Sequence, residues 1–329
     1  MAGFDEILGQ DQIINNLKNA IRLKKLSHAY IINGETHSGR KMLAGAFAMA
    51  IQCGNEEPCL QCHSCRQAMS GNHPDIKWIT YEKTGIGVDE IREQVNNDII
   101  IRPYSSEHKI YIIPDAEKMT GQAQNALLKT IEEPPEYAII ILLTNNSDLF
   151  LPTILSRCII LNIKPVKDEL IKELLMKKCG IPDYKADVIA AFAGGNVGKA
   201  INLSSSEEFN DVKDAVTDSL KTIEKSDMTD VIRKVKLAAE FKSNIDEYFD
   251  MIRIWFRDVA MFKSTNDENR IIFSEEQSFI KKQAERFSFN AINSAMAAVD
   301  KADERIKANV NFDNTIEVMF LSIIERIKK

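Results

Sequence analysis

Two uninterrupted apolar runs, Lys109-Ile-Tyr-Ile-Ile113 and Ala138-Ile-Ile-Ile-Leu-Leu143, constrain this chain most. Each has strand length, is rich in β-branched residues and lacks polar alternation, so each predicts a strand covered on both faces. A third run, His28-Ala-Tyr-Ile-Ile-Asn33, feeds straight into Gly34, and Asp75–Thr80 alternates as a further strand would. Helical stretches separate them. Residues 10–24 space Ile13, Ile14, Leu17, Ala20 and Ile21 along one face, and Met42–Gln52 is rich in Ala and Met. Val88–Ile99 and Gly121–Glu133 also read as helices, the latter closed by Pro134-Pro135. Strand alternating with helix predicts a doubly wound α/β domain over residues 1–165.

After Pro165 the strand signals stop. Residues 166–204 read as a small helical unit containing Gly194-Gly195-Asn196-Val197-Gly198, and Ser204-Ser205-Ser206 forms a joint. Residues 207–329 read as a separate amphipathic helical domain, with Asp246–Phe262 and Asn314–Ile327 as clear examples. Trp255 and Phe256 are expected in its core.

No apolar stretch approaches the roughly 20 residues that cross a bilayer, and the start lacks the features of a signal peptide. The expected setting is the cytoplasm, with no membrane partner. The formal net charge of −6 does not draw the whole molecule to a phosphate backbone.

The loop Gly34-Glu-Thr-His-Ser-Gly39-Arg40-Lys41 has the glycine spacing of a phosphate cradle after a strand and before a helix. Its chemistry departs from a working one. Arg40 takes the place of the lysine that reaches the β- and γ-phosphates, and Lys41 replaces the hydroxyl that binds Mg²⁺. A charged lysine offers no lone pair to a metal. The acid that usually ends a strand in such a site is absent too: Ile113 is followed by Pro114 and Asp115, and proline offers no side-chain ligand. Asp115 and Glu117 also fit as caps of the following helix. ATP binding and cleavage are not expected here.

Four of the six cysteines, Cys53, Cys59, Cys62 and Cys65, fall within thirteen positions. CxxCxxC preceded by a fourth thiol is a spacing that one tetrahedral Zn²⁺ can satisfy. His63 lies inside the module and could replace one thiol. A four-thiolate shell leaves no open position, so the ion would be structural. Cys158 and Cys179 lie apart, and Cys179 reads as a helix-end core residue.

Asn125-Ala-Leu-Leu-Lys-Thr-Ile-Glu-Glu-Pro-Pro135 and Thr153-Ile-Leu-Ser-Arg-Cys158 resemble the AAA+ subunits of the bacterial replicative clamp loader. Phe4-Asp-Glu-Ile-Leu-Gly-Gln10, Ser27-His-Ala-Tyr30 and the cysteine module are similar as well. The resemblance implies an AAA+ domain, a lid at 166–204 and a collar at 207–329. It implies gamma/tau motor subunits and a delta subunit as neighbours, with the sliding clamp and primed DNA met through the complex. Polymerase activity would belong to the chain only as a member of the holoenzyme. Motor subunits of this family carry an intact loop, an Asp-Glu metal pair and an arginine where this chain has Gly198. Three departures in one site imply a non-hydrolysing stator; the alternative is an active gamma/tau-type ATPase. Arg157 is then implied as an arginine finger reaching the ATP site of an adjacent motor, against pairing with a local carboxylate. Thr144 and Asn145 fall at the polar sensor position. Lys129 and Glu133 are spaced to pair across one helical turn.

Overall fold

The structure, a computed structural model, describes residues 3–81 and 85–328. The chain packs as two compact units, one reaching to Leu170 and taking in Gly195–Lys199, the other made of Ile171–Gly194 and the chain from Ala200 onward.

The first unit is built on a parallel sheet. Its strands are β1 (Ala29–Asn33), β2 (Ile76–Trp78), β3 (Lys109–Ile113), β4 (Ala138–Thr144) and β5 (Ile159–Asn162), in the spatial order β2-β3-β4-β1-β5. The uninterrupted apolar runs follow from two-sided burial. Tyr30, Ile32, Ile110, Ile112, Ile139 and Ile141 enter a core that also holds Leu17 and the buried helix Arg40–Cys53. Their sequence neighbours Ile31, Tyr111, Ile113, Ile140 and Leu142 enter a second core with Leu127 of the helix Gly121–Glu132. Successive side chains point to opposite faces, so both sets must be apolar. The strand order reverses beside β1, and a crevice at the carboxyl ends of the strands is where such sheets take ligands. Gly34 leaves β1 at that point, its N–H donating to the Thr144 carbonyl at 3.0 Å.

Several elements differ from the reading of the sequence. β5 carries no apolar alternation; of its four residues only Leu161 is buried, and pairing with β1 defines it. The strand expected over Asp75–Thr80 narrows to Ile76–Trp78. The helix from Val88 is an α-helix only to Ile91 and continues as a π-turn over Arg92–Asn96. The cysteine module contains its own helix, His63–Met69.

The second unit holds the helices Asp183–Ala193, Glu207–Lys221, Met228–Glu240, Ile245–Thr265, Gln277–Arg286, Phe289–Lys307 and Phe312–Ile327. Trp255 and Phe256 are fully buried in its core with Tyr248, Phe249 and Phe320. The Trp255 indole N–H donates to Gln283 Oε1 at 2.8 Å, and Gln283 donates to the Leu220 carbonyl at 2.8 Å, so its one polar atom is satisfied inside. Cys179, expected in a core, is exposed at the end of the helix Asp168–Cys179. Among the described residues no helix is long and apolar enough to cross a membrane.

Candidate functional site

The phosphate-type loop runs from the end of β1 to the first turn of the helix Arg40–Cys53. Its glycines are required by geometry. A Cβ on Gly34 would meet Ser38 Oγ at 2.8 Å and Ile163 Cβ at 2.9 Å, and Gly39 sits at φ +93°. The Ser38 N–H donates to the Glu35 carbonyl at 3.1 Å, and His37 lies at φ +67°. Arg40, in the lysine position, is 8% exposed, and its Nη1 has no acceptor among the described residues. Lys41, in the hydroxyl position, is exposed.

A short segment lies on this loop. Asn196 Nδ2 donates to the Thr36 carbonyl at 2.8 Å, and the Gly198 N–H donates to the His37 carbonyl at 3.2 Å. A Cβ on Gly198 would stand 2.3 Å from that carbonyl oxygen, so only glycine permits this approach. Asn196 is itself buried, and its Oδ1 accepts from the Lys199 N–H at 3.1 Å. The sequence marks the segment with a glycine pair and an asparagine, but its contact with a loop 160 residues earlier has no local signal.

At the end of β3, Pro114 is followed by Asp115 in a left-handed conformation, φ +48°. Asp115 does not cap the next helix; the Thr120 hydroxyl does, accepting from the Ala123 N–H. Asp115 Oδ2 instead accepts from the Tyr81 hydroxyl at 2.8 Å, and that hydroxyl accepts from Lys118 Nζ at 3.1 Å. Tyr81 carries no motif that sequence reading could have used. Glu117 Oε2 is buried without a partner among the described residues. Thr144 is fully buried, with its hydroxyl donating to the Asn146 carbonyl at 3.0 Å, whereas Asn145 is exposed.

Arg157 follows the short helix Pro152–Leu155 and precedes β5. Its side chain is 41% exposed; Nη2 lies 3.0 Å from Glu132 Oε1 and Nη1 donates to the Thr153 carbonyl at 3.0 Å. The local-carboxylate arrangement is therefore the one seen in the isolated chain. An exposed pair of this kind contributes about 0–1 kcal/mol, so the guanidinium is readily released to a stronger acceptor. The expected Lys129–Glu133 pair does not form among the described residues; Glu132 takes the ion-pair role of that helix end, toward Arg157.

The four cysteines converge. Their Sγ atoms all lie within 4.8 Å of one another, with Cys59 to Cys65 at 4.0 Å and Cys62 to Cys53 at 3.9 Å, and none is in a disulfide. Cys53 closes the helix Arg40–Cys53, whose chain reverses at Gly54, φ +73°. Cys62 caps the helix His63–Met69, its Sγ accepting from the Cys65 N–H at 3.3 Å. Backbone N–H donors of Gln61 and Cys62 draw the Cys59 thiol down to about 6, while burial pushes Cys65 up. A tetrahedral Zn–S shell with bonds of about 2.3 Å requires S–S separations of roughly 3.8 Å, and the two closest pairs match that. His63 is not among the converging ligands. These four thiols can hold one metal ion.

A family model described as "DNA polymerase III, delta subunit" matches residues 9–167. The delta' subunit of DNA polymerase III of Bacillus subtilis is 28% identical over 96% of this chain and 96% of its own length. The tau subunit of the same organism is 30% identical over 79% of this chain and 50% of its own. A solved gamma-subunit-related protein of Thermotoga maritima aligns over 95% of this chain and 99% of its own, at 22% identity and a TM-score of 0.46.

Proposed function

The chain belongs to the clamp-loader family of DNA polymerase III subunits, and from that premise we propose that it is a non-hydrolysing, delta-prime-type stator. It works beside gamma/tau motor subunits and a delta subunit, helping to place the sliding clamp on primed DNA in the cytoplasm. We divide it for this role into an AAA+ domain (1–165), a lid (166–204) and a collar (207–329).

The observation that carries the stator reading is the end of β3. Cleavage of a triphosphate in such folds depends on a metal bridging the β- and γ-oxygens. Pro114 brings no ligand, Asp115 is engaged by Tyr81, and Lys41 puts a cation where a hydroxyl would hold the metal. Arg40 and the loop N–H groups still offer charge and donors to a phosphate, yet without that metal they do not cleave it. Segment 196–198, lying on the loop where motor subunits carry an arginine, supports the same reading.

Arg157 is the group this chain gives to a neighbour. A guanidinium is always charged and can clasp phosphate oxygens with paired donors. Supplied in trans, such a group accelerates phosphoryl transfer by about 10³–10⁵. Zn²⁺ is the ion for the cysteine cluster; bound by four thiolates it would hold residues 53–65 in shape and leave no position for substrate.

The test is ATP turnover by the purified chain with Mg²⁺. No turnover above background is expected. Hydrolysis by the chain alone that Arg40→Ala abolishes would instead make it a motor subunit.

A further inference from the structure

The second unit contains a cleft that the stator role does not use. A cavity of about 580 Å³ opens among the helices Glu207–Lys221, Met228–Glu240 and Gln277–Arg286, within the size range of small-molecule sites. Lys234 lines it and is buried, 7% exposed. Its ammonium donates to the Ser219 carbonyl and to Thr222 Oγ1, each at 2.8 Å. Both acceptors are neutral, and no carboxylate of the described residues pairs with it.

The acids of the lining are engaged by other cations: Asp218 by Lys221 at 3.5 Å, Asp230 by Arg233 at 3.5 Å, and Glu224 by Arg286 at 2.6 Å. Lys225 and Lys282 also line the cleft, are exposed, and have no ion pair among the described residues. Three cations thus share one cavity with no matching anion. A buried ammonium without a counter-charge is costly, and burial draws the Lys234 pKa down accordingly. An anion in the cleft relieves that cost. Beside these cations Phe279 is 40% exposed, a free aromatic face in the same wall.

We propose that this cleft binds a small phosphate ester of nucleoside monophosphate size, its phosphate held by Lys225, Lys234 and Lys282 and its planar ring laid against Phe279. The site is separate from the loop at residues 34–41 and independent of the stator reading.

Calorimetric titration of the full-length chain with AMP and with inorganic pyrophosphate at low salt tests it. Both probes should bind saturably, and Lys234→Met should weaken both by about tenfold or more, the loss of one charge-assisted contact. The same variant should unfold at a higher temperature without ligand, because it removes the uncompensated cation. Lys282→Glu, on the exposed rim, carries no folding risk and should weaken both probes as well. Phe279→Ala should weaken AMP and leave pyrophosphate unchanged. Absence of saturable binding, or equal affinity in wild type, Lys234→Met and Lys282→Glu, would overturn the proposal.

Discussion

Gly198 decides how closely residues 195–199 approach the phosphate-type loop. Its N–H reaches the His37 carbonyl only because no side chain stands between them. Gly198→Arg should therefore lower stability by about 1–3 kcal/mol, the range for a forced steric clash with loss of a buried contact. Thermal unfolding of the variant measures this; an unchanged midpoint would mean the segment does not rest on the loop. Residue identities in the loop were legible in the sequence: Gly34, Gly39, Arg40 and Lys41 could be judged by position alone. Burial was not. That Arg40 is inside while Lys41 faces solvent follows from where the helix Arg40–Cys53 turns its faces, and spacing from a single loop does not set that rotation. Tyr81, which engages Asp115, is invisible for the same reason: its partner is 34 residues away.

At the scale of elements, the cysteine module and the β2–β3 edge make separate predictions. Residues 53–65 have few apolar side chains of their own, and Cys65 is the thiol buried in the core. Cys65→Ser, or treatment with a strong chelator, should expose this segment to limited proteolysis while β3 and β4 stay protected. Metal analysis of the native chain should find about one zinc per chain, the content of a single four-thiolate site. At the sheet edge, Asp98 accepts from the Tyr111 hydroxyl at 2.7 Å and pairs with Lys109 at 2.8 Å and Lys77 at 2.5 Å. Burial alone would raise its pKa, but the hydrogen bonds from Lys109, Lys77 and Tyr111 outweigh that and hold it at about 2. A depressed carboxyl adds stability that is present above the unfolded-state value and lost as pH falls through the folded one. Asp98→Asn should then cost on the order of 2 kcal/mol near pH 7, and urea titrations should show the gap closing between about pH 4 and pH 2. A gap that widens toward acid would contradict the assignment. The central strands were legible because two-sided burial writes itself as unbroken Ile and Leu. β5 was not, since an edge strand with only Leu161 buried leaves no periodic trace.

At the scale of the whole molecule, the first unit holds both the altered loop and the thiol cluster, and the second is helical throughout its described residues. Alternating strand and helix, then helices alone, made that division of character legible; the two-unit packing, with Gly195–Lys199 on the first unit, depends on long-range contacts that sequence does not announce. Relatives bearing the names delta' and tau both align over most of the chain, so family membership alone does not separate stator from motor; the chemistry at the end of β3 and at Arg157 does. The central claim is that this chain cannot cleave ATP and lends Arg157 to a neighbour that can. Steady-state ATP hydrolysis by the reconstituted loader, carrying either the native chain or Arg157→Ala, measures it most directly. The variant should assemble and melt as the native chain does, since only an exposed pair with Glu132 is lost, while hydrolysis by the complex falls at least about tenfold, well inside the range for a finger supplied in trans. Equal hydrolysis by the two complexes would contradict the account.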